Sequence, residues 1–167
     1  MQLIPDAATV QKKWTSLPLA AYGAGETVVT EGTRTGRLFI LKTGAVSIVK
    51  GGIEIAQVNE PGAMFGELSA LLDQPHTADV RALEPSQFHV ADAAALLTQD
   101  PIAPLYIGAL LARRLDAANR ALVELKNQLQ TGQPASVIEK TVQKIEELLS
   151  AGGASLVYAG YPTDPFA

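Results

Sequence analysis

The sequence predicts a mainly β fold with flanking helices: an antiparallel barrel set between a short N-terminal helix and a long C-terminal one. Three observations carry this. Six short β-type runs (TVVT, RLFILK, AVSIVK, IEIAQV, ADVRAL and SQFHVA) lie between residues 20 and 91, parted by Gly and Pro at close intervals. After Asp92 those signals stop, and from Pro101 to Gln130 only Pro104 and Gly108 interrupt a helical pattern. The 167 residues, 47% hydrophobic and 18% charged, suit a soluble globular chain long enough to bury a real core.

Taken in order, Val10, Trp14 and Leu17 recur at helical spacing behind Asp6, a suitable N-cap, so residues 1–16 read as an N-terminal helix. Residues 17–100 hold the barrel. Within it Gly51-Gly52 marks a tight hairpin between AVSIVK and IEIAQV, because both central residues take positive φ at little cost. Ala93 to Leu97 reads as a short helix, and Pro101 suits the first turn of the next one. Residues 101–130 then form a helix about 45 Å long, which outruns a barrel of this size. Along it Leu111, Leu115, Ala118, Leu122, Leu125 and Leu129 alternate by four and three, the spacing that sets one seam against another helix. Arg113 and Arg114 fall off that seam and read as a solvated or salt-bridged face. Residues 131–167 supply a linker, an extra helix and a tail. Thr131-Gly132-Gln133-Pro134 breaks the long helix, and Ser136 with Glu139 forms a capping box for the next. Ile138, Val142, Ile145 and Leu149 give that helix an apolar stripe that must pack on something, whereas Gly152 to Ala167 is aperiodic and reads as a loose or extended arm.

Composition excludes several classes. Thirteen Lys and Arg against 17 Asp and Glu leave a net charge of −4, which argues against a nucleic-acid partner. With no Cys and only two His, neither a disulfide framework nor a metal site is expected, and His89, between apolar residues, reads as structural. No apolar run approaches the ~18 residues of a membrane span, and the first residues lack a signal core, so no membrane partner and a cytoplasmic location are expected. No nucleophile, base and orienting group stand together in the pattern, so the chain is not read as an enzyme.

The informative segment runs from Gly62 to Ala82. A Pro-Gly turn leads to Phe65-Gly66-Glu67, which opens a short helix whose free N–H groups can face an anion, with Glu67 in the first turn able to accept from a hydroxyl. Together with Gly25-Glu26, Glu31-Gly32, Leu38-Phe39-Ile40, Gly44-Ala45-Val46, Phe65-Gly66-Glu67-Leu68-Ser69-Ala70-Leu71 and Ala78-Asp79-Val80-Arg81-Ala82, this segment resembles the cyclic nucleotide-binding domain of catabolite activator proteins, kinase regulatory subunits and nucleotide-gated channels. The resemblance covers roughly residues 17 to 130. It implies a jelly-roll-like antiparallel β-barrel holding the nucleotide in a phosphate-binding cassette, with a long helix over the base. Gly66 and Glu67 would meet the ribose, Glu67 accepting from its 2′-hydroxyl; Leu68 and Ser69 would supply backbone donors; Thr77 and Ala78 would contact the phosphate; and the long helix, matched through Ala112-Arg113-Arg114-Leu115, would bring Ala118 and Asn119 to the base.

One departure stands out. Where the family usually has an Arg after the cassette Pro, this chain has His76, which near neutral pH is largely uncharged unless the phosphate raises its pKa. Losing a charge-assisted hydrogen bond of ~1.5–3 kcal/mol would weaken binding roughly 10- to 150-fold. The leading expectation is therefore a sensor of cAMP or cGMP, without a further cofactor, that couples ligand to its long helix in a homodimer built on Leu111, Leu115, Leu122, Leu125 and Leu129 and signals to a downstream protein. The alternative is a degenerate fold that binds no nucleotide and serves as a dimerisation module. A helix-turn-helix is not expected in the short stretch that follows residue 130.

Overall fold

The computed structural model describes residues 7–132 and 134–150. The chain runs α1 (Ala7–Trp14), β1 (Leu19–Tyr22), β2 (Thr27–Val29), β3 (Arg37–Thr43), β4 (Val46–Lys50), β5 (Ile53–Val58), β6 (Met64–Phe65), α2 (Glu67–Leu72), β7 (Asp79–Ala82), β8 (Ser86–Asp92), α3 (Ala93–Gln99), α4 (Ile102–Gln130) and α5 (Ala135–Ser150). The strands pair antiparallel in two four-stranded sheets, ordered β1-β8-β3-β6 and β2-β7-β4-β5. This is the mainly β architecture with flanking helices that the pattern of runs predicts.

The barrel interior is built on Phe88, which meets the rings of Tyr22, Phe39 and Phe65 edge-on at centroid distances of 5.6, 6.3 and 6.2 Å. Edge-to-face contact suits the quadrupoles of these rings better than face-to-face stacking. Strand β3 shows why its apolar run does not alternate. Phe39 and Leu41 belong to the interior cluster, while Leu38 and Ile40 belong to a second cluster with α1, α3 and α4. A strand buried on both faces needs apolar residues at every position. Gly51 and Gly52, at φ +57° and +81°, turn β4 into β5 with Lys50 opposite Ile53, as the hairpin reading expects.

The second cluster joins the helices to the barrel. Val10, Trp14, Ala103, Tyr106, Ile107 and Leu110 are buried in it, and Trp14 meets Tyr106 edge-on at 5.4 Å. Asp100 accepts from Lys13 Nζ at 2.6 Å and from the Ile102 N–H at 3.0 Å, so one carboxylate ties α1 to the start of α4. Pro101 takes the N-cap position instead of the first turn, and α3 and α4 meet there at 107°. No single helix among the described residues is long and apolar enough to cross a membrane.

On α4 the inner stripe differs from the expected seam. Ala103, Ile107, Leu110, Ala117, Ala121 and Gln128 are buried, whereas Leu115, Leu122 and Leu129 are exposed, Leu125 is half-buried, and Leu111 packs against the helix and barrel cluster. Leu111 thus has a partner in its own chain, whereas Leu115, Leu122 and Leu129 are left on the outer surface of α4. Helix α5 folds back along α4 and also touches β5. Thr141 donates to Gln128 Oε1 at 2.7 Å and Gln128 donates to Glu124 at 2.7 Å, a buried polar link that fixes the register of the two helices. Helix α5 starts at Ala135, with the Pro134 carbonyl accepting from Val137 and Ile138. Ser136 is thus inside the first turn, and the expected capping box does not cap. Asp6, the tail from Gly152 onward, and the side chains of Ile145 and Leu149 lie outside the described residues.

Candidate functional site

The site is organised by one residue without a side chain. Gly66 sits at φ +93° between β6 and α2, and a Cβ there would lie 2.6 Å from the Arg37 carbonyl oxygen and 3.4 Å from His76 Cε1. Only glycine takes this left-handed turn in such confinement. The turn brings the start of β3, the first turn of α2 and the loop before β7 together.

Glu67 is the next residue, and it is 5% exposed. A buried carboxylate needs a partner, and the partner comes from the long helix: Arg114 Nη1 donates to Glu67 Oε1 at 2.5 Å. The ion pair is well shielded, with side-chain exposures of 24% for Arg114 and 6% for Glu67. Arg114 Nε is buried without a hydrogen-bond partner. Sequence reading treated Arg114 as part of a solvated or salt-bridged face and did not connect it to Glu67. The available signal was its spacing, four residues after Leu110 and seven after Ile107, on the stripe that faces the barrel.

The loop after α2 is stitched internally. Ser69 Oγ donates to the Gln74 carbonyl at 2.6 Å while the Gln74 N–H donates back to the Ser69 carbonyl at 3.2 Å. Asp73 ends α2 at φ +48°, and its carboxylate accepts from Arg34 at 2.8 Å. His76 is pinned to the β2–β3 loop: its N–H donates to the Thr33 carbonyl and its carbonyl accepts from the Gly32 N–H, both at 2.8 Å. His76 is 5% exposed, and its ring Nε2 lies 2.9 Å from Thr35 Oγ1, which also accepts from the Arg37 N–H at 3.2 Å. Burial pushes the imidazole below its ordinary pKa, against the opposing pull of the Glu67 charge. Thr35 was not singled out in the sequence, and no spacing rule links it to a residue 41 positions away.

The structure thus brings Gly66, Glu67, Ser69 and His76 into one cassette, with Thr77 and Ala78 half-buried just before β7 and Leu68 exposed on the outer side of α2. Ala118 and Asn119 are exposed. Asn119 lies roughly 140° around the helix from Arg114, so Arg114 and not Asn119 is the α4 side chain that reaches the cassette.

The cyclic nucleotide-binding domain family matches residues 19–99. A cAMP-dependent protein kinase regulatory subunit from Yarrowia lipolytica is 34% identical over 62 residues, which are 37% of this chain and 16% of that protein. A cyclic nucleotide-binding domain from Methylobacillus flagellatus superposes with a TM-score of 0.54 at 28% identity, covering 59% of this chain and 61% of that one. The catabolite activator protein of Thermus thermophilus gives 0.55 at 23% identity, over 90% of this chain and 82% of the other, a likeness of fold.

Proposed function

Because residues 19–99 of this chain match the cyclic nucleotide-binding domain family, we propose that it is a regulatory module that senses cAMP or cGMP and passes the signal through α4. The observation that supports this most is the Glu67–Arg114 pair. The acid that would receive the ribose 2′-hydroxyl is held by the long helix, so a ligand that takes up Glu67 must change the contacts of Arg114. Gly66 would leave room for the ribose, backbone N–H groups at Leu68, Ser69 and Ala78 would face the phosphate together with the Thr77 hydroxyl, and His76 would stand beside it. Binding shifts α4 only if the two helix arrangements differ in affinity for the nucleotide, and an ion pair present in one of them supplies that difference. We read the role as regulatory, by likeness to the family that residues 19–99 match.

Calorimetric titration of the full chain with cAMP and cGMP tests this. Binding is expected, and Glu67→Ala should weaken it roughly 10- to 150-fold, the effect of removing one charged hydrogen bond. Absence of binding by either nucleotide would leave the second reading, a dimerisation module with a closed cassette, which the neutral, tied-down His76 favours.

In either reading the exposed Leu115, Leu122 and Leu129, seven residues apart, would form a homodimer seam, with Leu125 at its edge. Sedimentation should show a dimer that Leu122→Glu converts to a monomer without loss of nucleotide binding; a monomeric parent protein would contradict the seam. A downstream protein partner would then read the position of α4 and α5.

A further inference from the structure

We infer that His76 and Thr35 form a proton-linked anion subsite, in which the imidazole takes up a proton as a cyclic phosphate arrives and Thr35 holds the ring in either charge state. The inference rests on the cassette reading above and adds which ligand chemistry the site can tell apart. It would separate a nucleoside 3′,5′-cyclic phosphate from the bare nucleoside by charge, and would do so according to pH.

The geometry makes Thr35 an adaptable partner. Its oxygen already accepts from the Arg37 N–H, which leaves one lone pair and one proton for His76 Nε2. When the ring is neutral, the hydroxyl can donate to Nε2. After protonation, Nε2–H donates to the same oxygen once the hydroxyl rotates. No other side chain need move. His76 Nε2 is the ring atom held by Thr35, and Nδ1 has no hydrogen-bond partner among the described residues. In the charged ring Nδ1–H is the free donor for a phosphate oxygen.

The surrounding charges leave this role to His76. Glu67, at the start of α2, is the charge that acts on the ring, and Arg114 of α4 answers it. Arg34, on the β2–β3 loop, is held by Asp73 at the end of α2, and Arg81 on β7 is held by Asp79, which also accepts from the Glu31 N–H. Arg34, Arg81 and Arg114 each have a carboxylate, Arg37 at the start of β3 is exposed and has no ion pair among the described residues, and burial favours the neutral form of the unliganded imidazole. An incoming phosphodiester, a monoanion throughout the accessible range, favours the charged ring.

The sign follows from linkage. The free ring is neutral and the phosphate-bound ring carries a proton, so cyclic nucleotide affinity rises as pH falls between the free and bound pKa values, up to tenfold per pH unit. Calorimetry of the full chain with cAMP and with adenosine, from about pH 8 to about pH 6 and in two buffers of different ionisation enthalpy, reads both affinity and proton uptake. For cAMP we expect about a tenfold gain toward acid and net uptake of protons; for adenosine, neither. Thr35→Val should flatten the cAMP profile and leave adenosine affinity unchanged, whereas a purely structural role would weaken both ligands alike. His76→Gln should abolish proton uptake on cAMP binding. Binding of cAMP that is flat with pH and takes up no proton would overturn the subsite and leave the sensor reading intact. Failure of cAMP, cGMP and adenosine alike to bind would sink the sensor reading, and the subsite with it.

Discussion

Arg114→Met should lower the stability of the nucleotide-free protein by about 3 kcal/mol, because it leaves Glu67 as a buried carboxylate without its cation. For a chain of this length that is a fall in melting temperature of about 6–12 °C. The cost arises from the orphaned charge more than from the lost attraction. Glu67→Gln in the same background removes the charge and should recover much of the loss, so the pair of substitutions should be far from additive. Urea denaturation of the two single variants and the double variant measures the coupling. If Arg114→Met alone is neutral, the pair is not shielded and α4 is not fastened to the cassette through it. The same substitution should change how nucleotide binding reaches α4, since no other α4 side chain among the described residues has a hydrogen bond or ion pair with the cassette.

Gly66→Ala should be severely damaging, with a loss on the order of 3 kcal/mol and of nucleotide binding. Two costs act together. The residue must hold φ +93°, which an L side chain resists, and its methyl would sit 2.6 Å from the Arg37 carbonyl at the start of a strand whose next four residues are buried. Because β3 is packed on both faces, that carbonyl cannot retreat without disturbing both clusters. Denaturation together with titration against cAMP checks this. Normal stability with normal binding would mean that the turn is not the determinant of the cassette.

These two positions also mark what the sequence made legible. Gly66 and Glu67 announced themselves through local order, because a Gly-Glu pair opening a helix after a Pro-Gly turn is a short-range pattern. The strands with strong β signals were equally readable, from TVVT to SQFHVA. The two that were missed have weak signals for physical reasons: LAAY in β1 carries two small residues, and β6 is only Met64–Phe65. Leu111 packs in its own chain while Leu115, Leu122 and Leu129 stay exposed, because an alternation of four and three fits two neighbouring stripes of one helix and only tertiary packing chooses between them. Arg114 and Thr35 were not tied to the cassette because their partners lie 47 and 41 residues away. A charged residue on a helix gives no local sign that it will be buried against a carboxylate from another element. The path of α5 followed the same rule. Its apolar stripe required a partner, but only the buried link from Thr141 to Gln128 fixes that partner as α4 of the same chain.

Glu67 and its neighbours are proposed to hold a nucleotide in contact with the long helix. Crystals of the full chain grown with excess cAMP test it most directly. The expected result is a ribose hydroxyl on the Glu67 carboxylate, the cyclic phosphate between His76 and the Ala78 N–H, and Arg114 with altered contacts. A cassette without nucleotide at saturating concentration, or a nucleotide seated elsewhere with the Glu67–Arg114 pair unchanged, would contradict it.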